Sequence, residues 1–315
     1  MRKILIISLL ILICSACSEK GRHYSKEAEN LPIEVKVERF DLDFMSMDSA
    51  SLVEKYPEFY PLYVRNILEI PEAEVPRFKA DSAVRSLFSD VEKEYSSVDD
   101  VEKTLTKAFK YYKYYFPEKQ VPKISFHVSG FNQCVVTLPE RISVSADYYL
   151  GKDYPLYSSV AYKYEVPYLT REHMPVDVML GWLTSEFPTS EYRLLESMIN
   201  HGKLMYLLEA FLPEYDMSEI LSYSAEQFAW CEEHEKKIWH SIVENKELYS
   251  TDWRTIMKYT QPAPFTNGYS QEFSPGRLGV YMGWKIVSSF MNAHKDLTLS
   301  DLMATTDAQE IMRYY

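Results

Sequence analysis

Between residues 123 and 146 the hydrophobic period of this chain changes, and that change constrains the fold more than any other feature. Lys123 to Ser129 (KISFHVS), Cys134 to Leu138 (CVVTL) and Arg141 to Ala146 (RISVSA) are short, rich in β-branched residues and alternating. Side chains of a strand point alternately to its two faces, so each run reads as a strand. Gly130-Phe131-Asn132-Gln133 and Pro139-Glu140 supply turns between them. The spacing predicts a small antiparallel meander of two or three strands. Nearly everything else has helical spacing. Val98, Val101, Leu105, Ala108, Phe109 and Tyr112 share one face of a helix ending near Pro117, opened by a capping box of Ser97 and Asp100. Ile33 to Phe40 alternates apolar and charged residues and reads as one further strand. Asp41 to Ile70 reads as two short helices broken at Pro57 and Pro61, and Phe78 to Phe88 as another.

Beyond residue 150 the pattern gives five helices: Val176 to Phe187, Leu194 to Leu212, a third opened by the capping box Ser224 and Gln227, Gly276 to Met291, and Leu299 to Tyr314. Gly279 and Gly283 lie on one face of the fourth and permit close helix packing. The fold class expected is α+β, predominantly helical, with a small antiparallel sheet packed by helices in a single domain over 33–315.

The N-terminus reads as an address. Arg2 and Lys3 precede an apolar run from Ile4 to Ile13, too short to span a bilayer and suited to a signal peptide. Ser15-Ala16-Cys17 follows and resembles a bacterial lipobox, with Cys14 where Leu is usual. The expectation is a leader over 1–16, an acylated (palmitate-bearing) Cys17, and a polar tether over 17–32. Anchorage would then come from lipid. Two cysteines remain, Cys134 and Cys231, and pairing and free thiols both stay open.

Composition removes several functions. The formal net charge of -12 leaves no basic face for a phosphate backbone, so no nucleic-acid partner is expected. Only 9 of 315 residues are glycine, and no GxSxG, GxxxxGK, GxGxxG or CxxC occurs. His234 and His240 are six positions apart, about 240° round a helix, so they cannot share a metal from one regular helix; Ile238 holds the position a zinc helix would need. No catalytic residue, metal or cofactor is expected. His240 with Glu244 reads as a surface pair. His127 reads as a hydrogen-bonded strand histidine, and the cluster Tyr111 to Phe116 as core on one side.

Long phrases carry a family resemblance. Leu194 to Pro213 (LLESMINHGKLMYLLEAFLP), Leu248 to Phe265 (LYSTDWRTIMKYTQPAPF), Ser274 to Gly279 with Gly283 to Val287, and Val37 to Asp41 (VERFD) together resemble the gliding-motility lipoprotein GldB family over about 35–312. That resemblance implies a noncatalytic lipoprotein of the cell envelope, on the periplasmic face or the outer membrane, acting on another envelope protein in a gliding or secretion machinery. The order of meander and helices also resembles zincin metallopeptidases, as a degenerate scaffold. The helix matching their HExxH segment, Val176 to Trp182, has no histidine, and His201 stands where a glutamate precedes the glycine. A metallopeptidase-like hydrolase with an unrecognised site is therefore one alternative. A glycan-binding surface lipoprotein, suggested by 26 Tyr and 5 Trp, is the other.

Any pocket is expected where the two late helices meet, around Glu196, His201, Arg277, Tyr281 and Trp284. Arg277, at the opening of a glycine-containing helix, could clamp a carboxylate with its fork or form a buried pair with Glu196.

Overall fold

The computed structural model describes residues 23, 25–189 and 192–315; Cys17 and the leader lie outside them. The chain is α+β and predominantly helical, as the spacing predicts. The sheet differs. It has four strands, β1 (Val37–Glu38), β2 (Lys123–His127), β3 (Val135–Leu138) and β4 (Arg141–Ser145), in the order β1-β2-β4-β3. Only β3 and β4 are antiparallel; β1–β2 and β2–β4 are parallel. The sheet is thus mixed rather than an antiparallel meander. Parallel pairing buries both faces of the central strands. Ile124, Phe126, Ile142 and Val144 fill one face and are fully buried. The other carries a buried polar ladder: His127 Nδ1 lies 2.8 Å from Ser143 Oγ, and the Ser145 hydroxyl lies 2.7 Å from that of Ser129. Burial pushes His127 down to about 3, so its ring is neutral, packed against Phe59 and Tyr63.

The expected strand over 33–40 shrinks to two residues. The amides of Val35 and Val37 are met by Thr106 Oγ1 and Glu102 Oε1, side chains of the Asp99–Tyr115 helix, so the segment pairs with a helix before it reaches the sheet. Part of the expected tether is also docked. Lys26–Glu29 is a short helix capped by Ser25, whose amide donates to Tyr111 Oη.

Local chemistry explains the other differences. Ser97 caps Asp99 rather than Asp100, and no capping box forms there. Phe78 to Phe88 divides at Asp81, which ends Val75–Ala80 and caps Ser82–Glu94. Pro57 separates Ser49–Lys55 from Phe59–Leu62, while Pro61 stays inside the latter, which runs on as a π-helix, Tyr63–Ile67. Leu299 to Tyr314 is two helices, Leu299–Ala304 and Ala308–Met312, because Asp307 caps a new one. The Ser224–Gln227 capping box is present with both hydrogen bonds, and opens Ala225–Glu244.

The sheet edge and the late helices are joined by the Met174–Glu186 helix, which lies against β3; Val135 Cγ1 approaches to 2.9 Å of where a Cβ on Gly181 would stand. The Leu194–Phe211 and Leu278–Ala293 helices cross backbone to backbone at Gly202 and Gly283. No helix among the described residues is long and apolar enough to cross a membrane.

Candidate functional site

The expected pocket is divided. Arg277 opens the Leu278 helix and lines a cavity of about 700 Å³. Glu196 lines a separate hollow of about 310 Å³ beside the C-terminal segment, and its carboxylate lies 3.7 Å from Arg193 Nε. Tyr281 and Trp284 line neither; they pack beside Phe228, with their polar atoms on Glu235 and Glu209. His201, on the Leu194 helix, lines neither. Glu196 and Arg277 therefore do not form the interhelical pair.

The large cavity lies between the Met174 helix, the loop around Ser222 and the loops that lead into the Leu278 helix. Two of its lining residues have left-handed backbone. Ser222 (φ 54°) and Arg277 (φ 58°) are both left-handed, a conformation that costs about 1 kcal/mol or more for a residue with a Cβ. Two contacts hold them together. The Arg277 guanidinium donates to the Leu221 carbonyl, and Tyr223 Oη donates to the carbonyls of Gly276 and Arg277 at 2.8 and 3.0 Å. Gly276 must be glycine, because a Cβ there would stand 2.4 Å from the Ala263 carbonyl oxygen.

Inside, a chain of polar groups runs across the wall. Cys134 Sγ is 2.8 Å from Tyr149 Oη, which donates to Asp177 Oδ2 at 2.8 Å. Asp177 Oδ1 is 3.8 Å from His173 Nε2, which is 3.1 Å from Ser222 Oγ. Serine, histidine and aspartate thus share a cavity, but not as a proton relay. A relay places the hydroxyl on one ring nitrogen and the carboxylate on the other; here both are nearest Nε2. Burial lowers His173 below the usual imidazole value, against the pull of Asp177. Burial likewise pushes the Cys134 thiol well up, so it is no thiolate nucleophile. Cys134 and Cys231 are both free.

The remaining walls are aromatic and proline-rich: Tyr148, Tyr164, Tyr168, Pro262, Pro264 and Pro275. Glu165 and Asp177 supply negative charge and Arg277 positive charge. Gln133 also lines the cavity, and its side-chain amide donates to the Asn66 carbonyl of the π-helix. Among the described residues no cluster of three His, Cys, Asp or Glu could hold a metal ion. His234 stacks on Trp230 at 4.6 Å, and His240 pairs with Glu244 at 2.9 Å on the surface.

Sequence reasoning found Arg277 but missed the rest of this site. One signal was available: His173 and Asp177 have i, i+4 spacing on a helix start. The model of the family described as gliding motility protein GldB matches residues 21–314. No curated protein and no solved structure matches the chain, zincins included.

Proposed function

The chain belongs to the GldB family, a gliding-motility-associated lipoprotein of the envelope, and from that premise we propose that it works without catalysis, by holding another envelope protein in the large cavity. Lipid on Cys17 would attach it to the membrane, on the periplasmic face or at the outer membrane.

One observation carries this reading. The cysteine and the serine of the cavity wall are each engaged in a way that blunts them as nucleophiles. The Cys134 thiol is half-buried, protonated and bonded to Tyr149. Ser222 faces a neutral imidazole whose other ring nitrogen has no carboxylate behind it. The same wall is well made for recognition: aromatic rings and prolines give apolar area at low entropy cost, and a few fixed charges give orientation.

The test is capture from native membranes with the lipidated protein, wild type against Leu180→Trp. Leu180 lines the cavity, and the larger side chain should fill it. An envelope protein retained by the wild type and lost by a well-folded Leu180→Trp supports the reading. Peptide cleavage by the purified protein, sensitive to chelator and accompanied by one equivalent of zinc, would replace it with the hydrolase.

A further inference from the structure

We propose that the large cavity takes the free carboxyl terminus of a polypeptide, with the Arg277 guanidinium on the carboxylate and the last, apolar side chain against Tyr164, Tyr168 and Pro264. This deepens the noncatalytic binding reading and rests on it.

The argument starts at Arg277. One of its Nη groups is spent on the Leu221 carbonyl; its other N–H groups meet no acceptor among the described residues, and the side chain lines the cavity. A guanidinium presents its donors in a rigid fork that matches a carboxylate with two parallel hydrogen bonds. Anchoring one arm fixes the direction of the rest. The backbone beneath it is fixed as well, by Tyr223 and by the clash that excludes any residue but glycine at 276. Two left-handed residues of the lining, Ser222 and Arg277, are held in place. Ser222 is the left-handed residue that closes the Met217–Ile220 helix, its amide on the Glu219 carbonyl and that of Tyr223 on the Ser218 carbonyl, so the loop beside Arg277 is fixed by the helix end.

Neither carboxylate of the cavity, Asp177 or Glu165, forms an ion pair with Arg277 among the described residues. Asp177 is tied to Tyr149 and faces His173. Arg277 therefore offers positive charge at one wall while Asp177 and Glu165 offer negative charge at others. A chain end matches that polarity: its carboxylate goes to the arginine, and backbone N–H groups of the preceding residues go to the carboxylates. The apolar remainder suits a nonpolar final side chain. An internal aspartate or glutamate would have to lay chain across the cavity on both sides of the arginine, and a chain end lays it on one.

The experiment uses the full lipidated protein in detergent and two pools of dye-labelled random octapeptides with apolar last residues, one pool with free carboxyl termini and one amidated. Fluorescence polarisation reads binding. The free acids should bind, and amidation should weaken them at least about tenfold, the scale of a lost charge-assisted pair. Arg277→Gln should abolish the difference between the pools, and Arg277→Lys should restore part of it. Equal binding of both pools, or binding of neither, overturns the proposal. So does an amidated pool that binds only through Asp or Glu side chains, since the carboxylate would then come from within a chain. Failure here with membrane capture still blocked by Leu180→Trp leaves the cavity as a protein-binding site of other chemistry; loss of that capture effect removes the broader reading.

Discussion

Gly283→Ala should destabilise the protein even though alanine is the better helix former. The Leu194 and Leu278 helices meet through bare backbone, and a Cβ built on Gly283 would stand 1.8 Å from the Met198 carbonyl oxygen. Ordinary contact begins near 3.4 Å, so one helix must retreat by about 1.6 Å. The obstacle is a carbonyl inside a helix, which cannot move without its neighbours. Overpacking of this kind costs about 3 kcal/mol. Replacing glycine within a helix returns about 1 kcal/mol of propensity. The net loss is roughly 2 kcal/mol, which in a chain of this size lowers Tm by about 3 °C. Thermal unfolding by circular dichroism measures it. Gly181→Ala is the control: it makes the same gain in propensity, and the nearest atom is one side-chain methyl of Val135 at 2.9 Å, which a shift of a few tenths of an ångström relieves. Gly181→Ala should be near neutral. A Gly283→Ala protein that melts at or above wild type would refute the backbone contact.

Three further outcomes are expected. His127 is held near 3 by burial, below its unfolded value, so its contribution is full above pH 6.5 and is lost as pH falls toward 3; relative to His127→Phe, wild type should lose roughly 2–3 kcal/mol between pH 7 and 4.5, read as diverging denaturant midpoints. Parallel midpoints across that range would sink the assignment. Tyr223→Phe removes the donor shared by the Gly276 and Arg277 carbonyls and should cost about 1–3 kcal/mol by chemical denaturation; an unchanged midpoint would mean that the brace carries no load. Cys17→Ser should move the protein from the membrane to the soluble fraction, and intact mass should show acyl chains only on the wild type; a mutant that stays membrane-bound speaks against lipid anchorage there.

Local signals were readable in the sequence and distant ones were not. The capping box at Ser224 and Gln227 needs only four consecutive residues, and Gly279 with Gly283 needs one turn, so both appear where the spacing puts them. The partner of Gly283 is Gly202, and no local pattern joins them. Strand positions were visible because alternation is local, but their direction was not: β2 pairs with β4 and β1, and pairing is decided by how helices cover both faces. Asp307 capping a new helix could have been read from Thr-Thr-Asp, and was hidden by the apolar spacing on either side. Arg277 was legible as a fork at a helix start. Its surroundings come from segments near 133, 148, 165, 177, 222 and 263, which only the folded chain assembles.

The docked turn at Lys26–Glu29 sets a leash. Ser25 is fixed to Tyr111, so a lipid on Cys17 leaves eight residue steps between membrane and body. Fully extended they reach no more than about 28 Å, however they run. A body of this length has a radius of gyration of about 19 Å, so the leash is shorter than the body is wide. So tethered, the protein would patrol a thin layer above its bilayer. Partners already in that layer would then meet it at an effective concentration far above that of anything diffusing through the envelope.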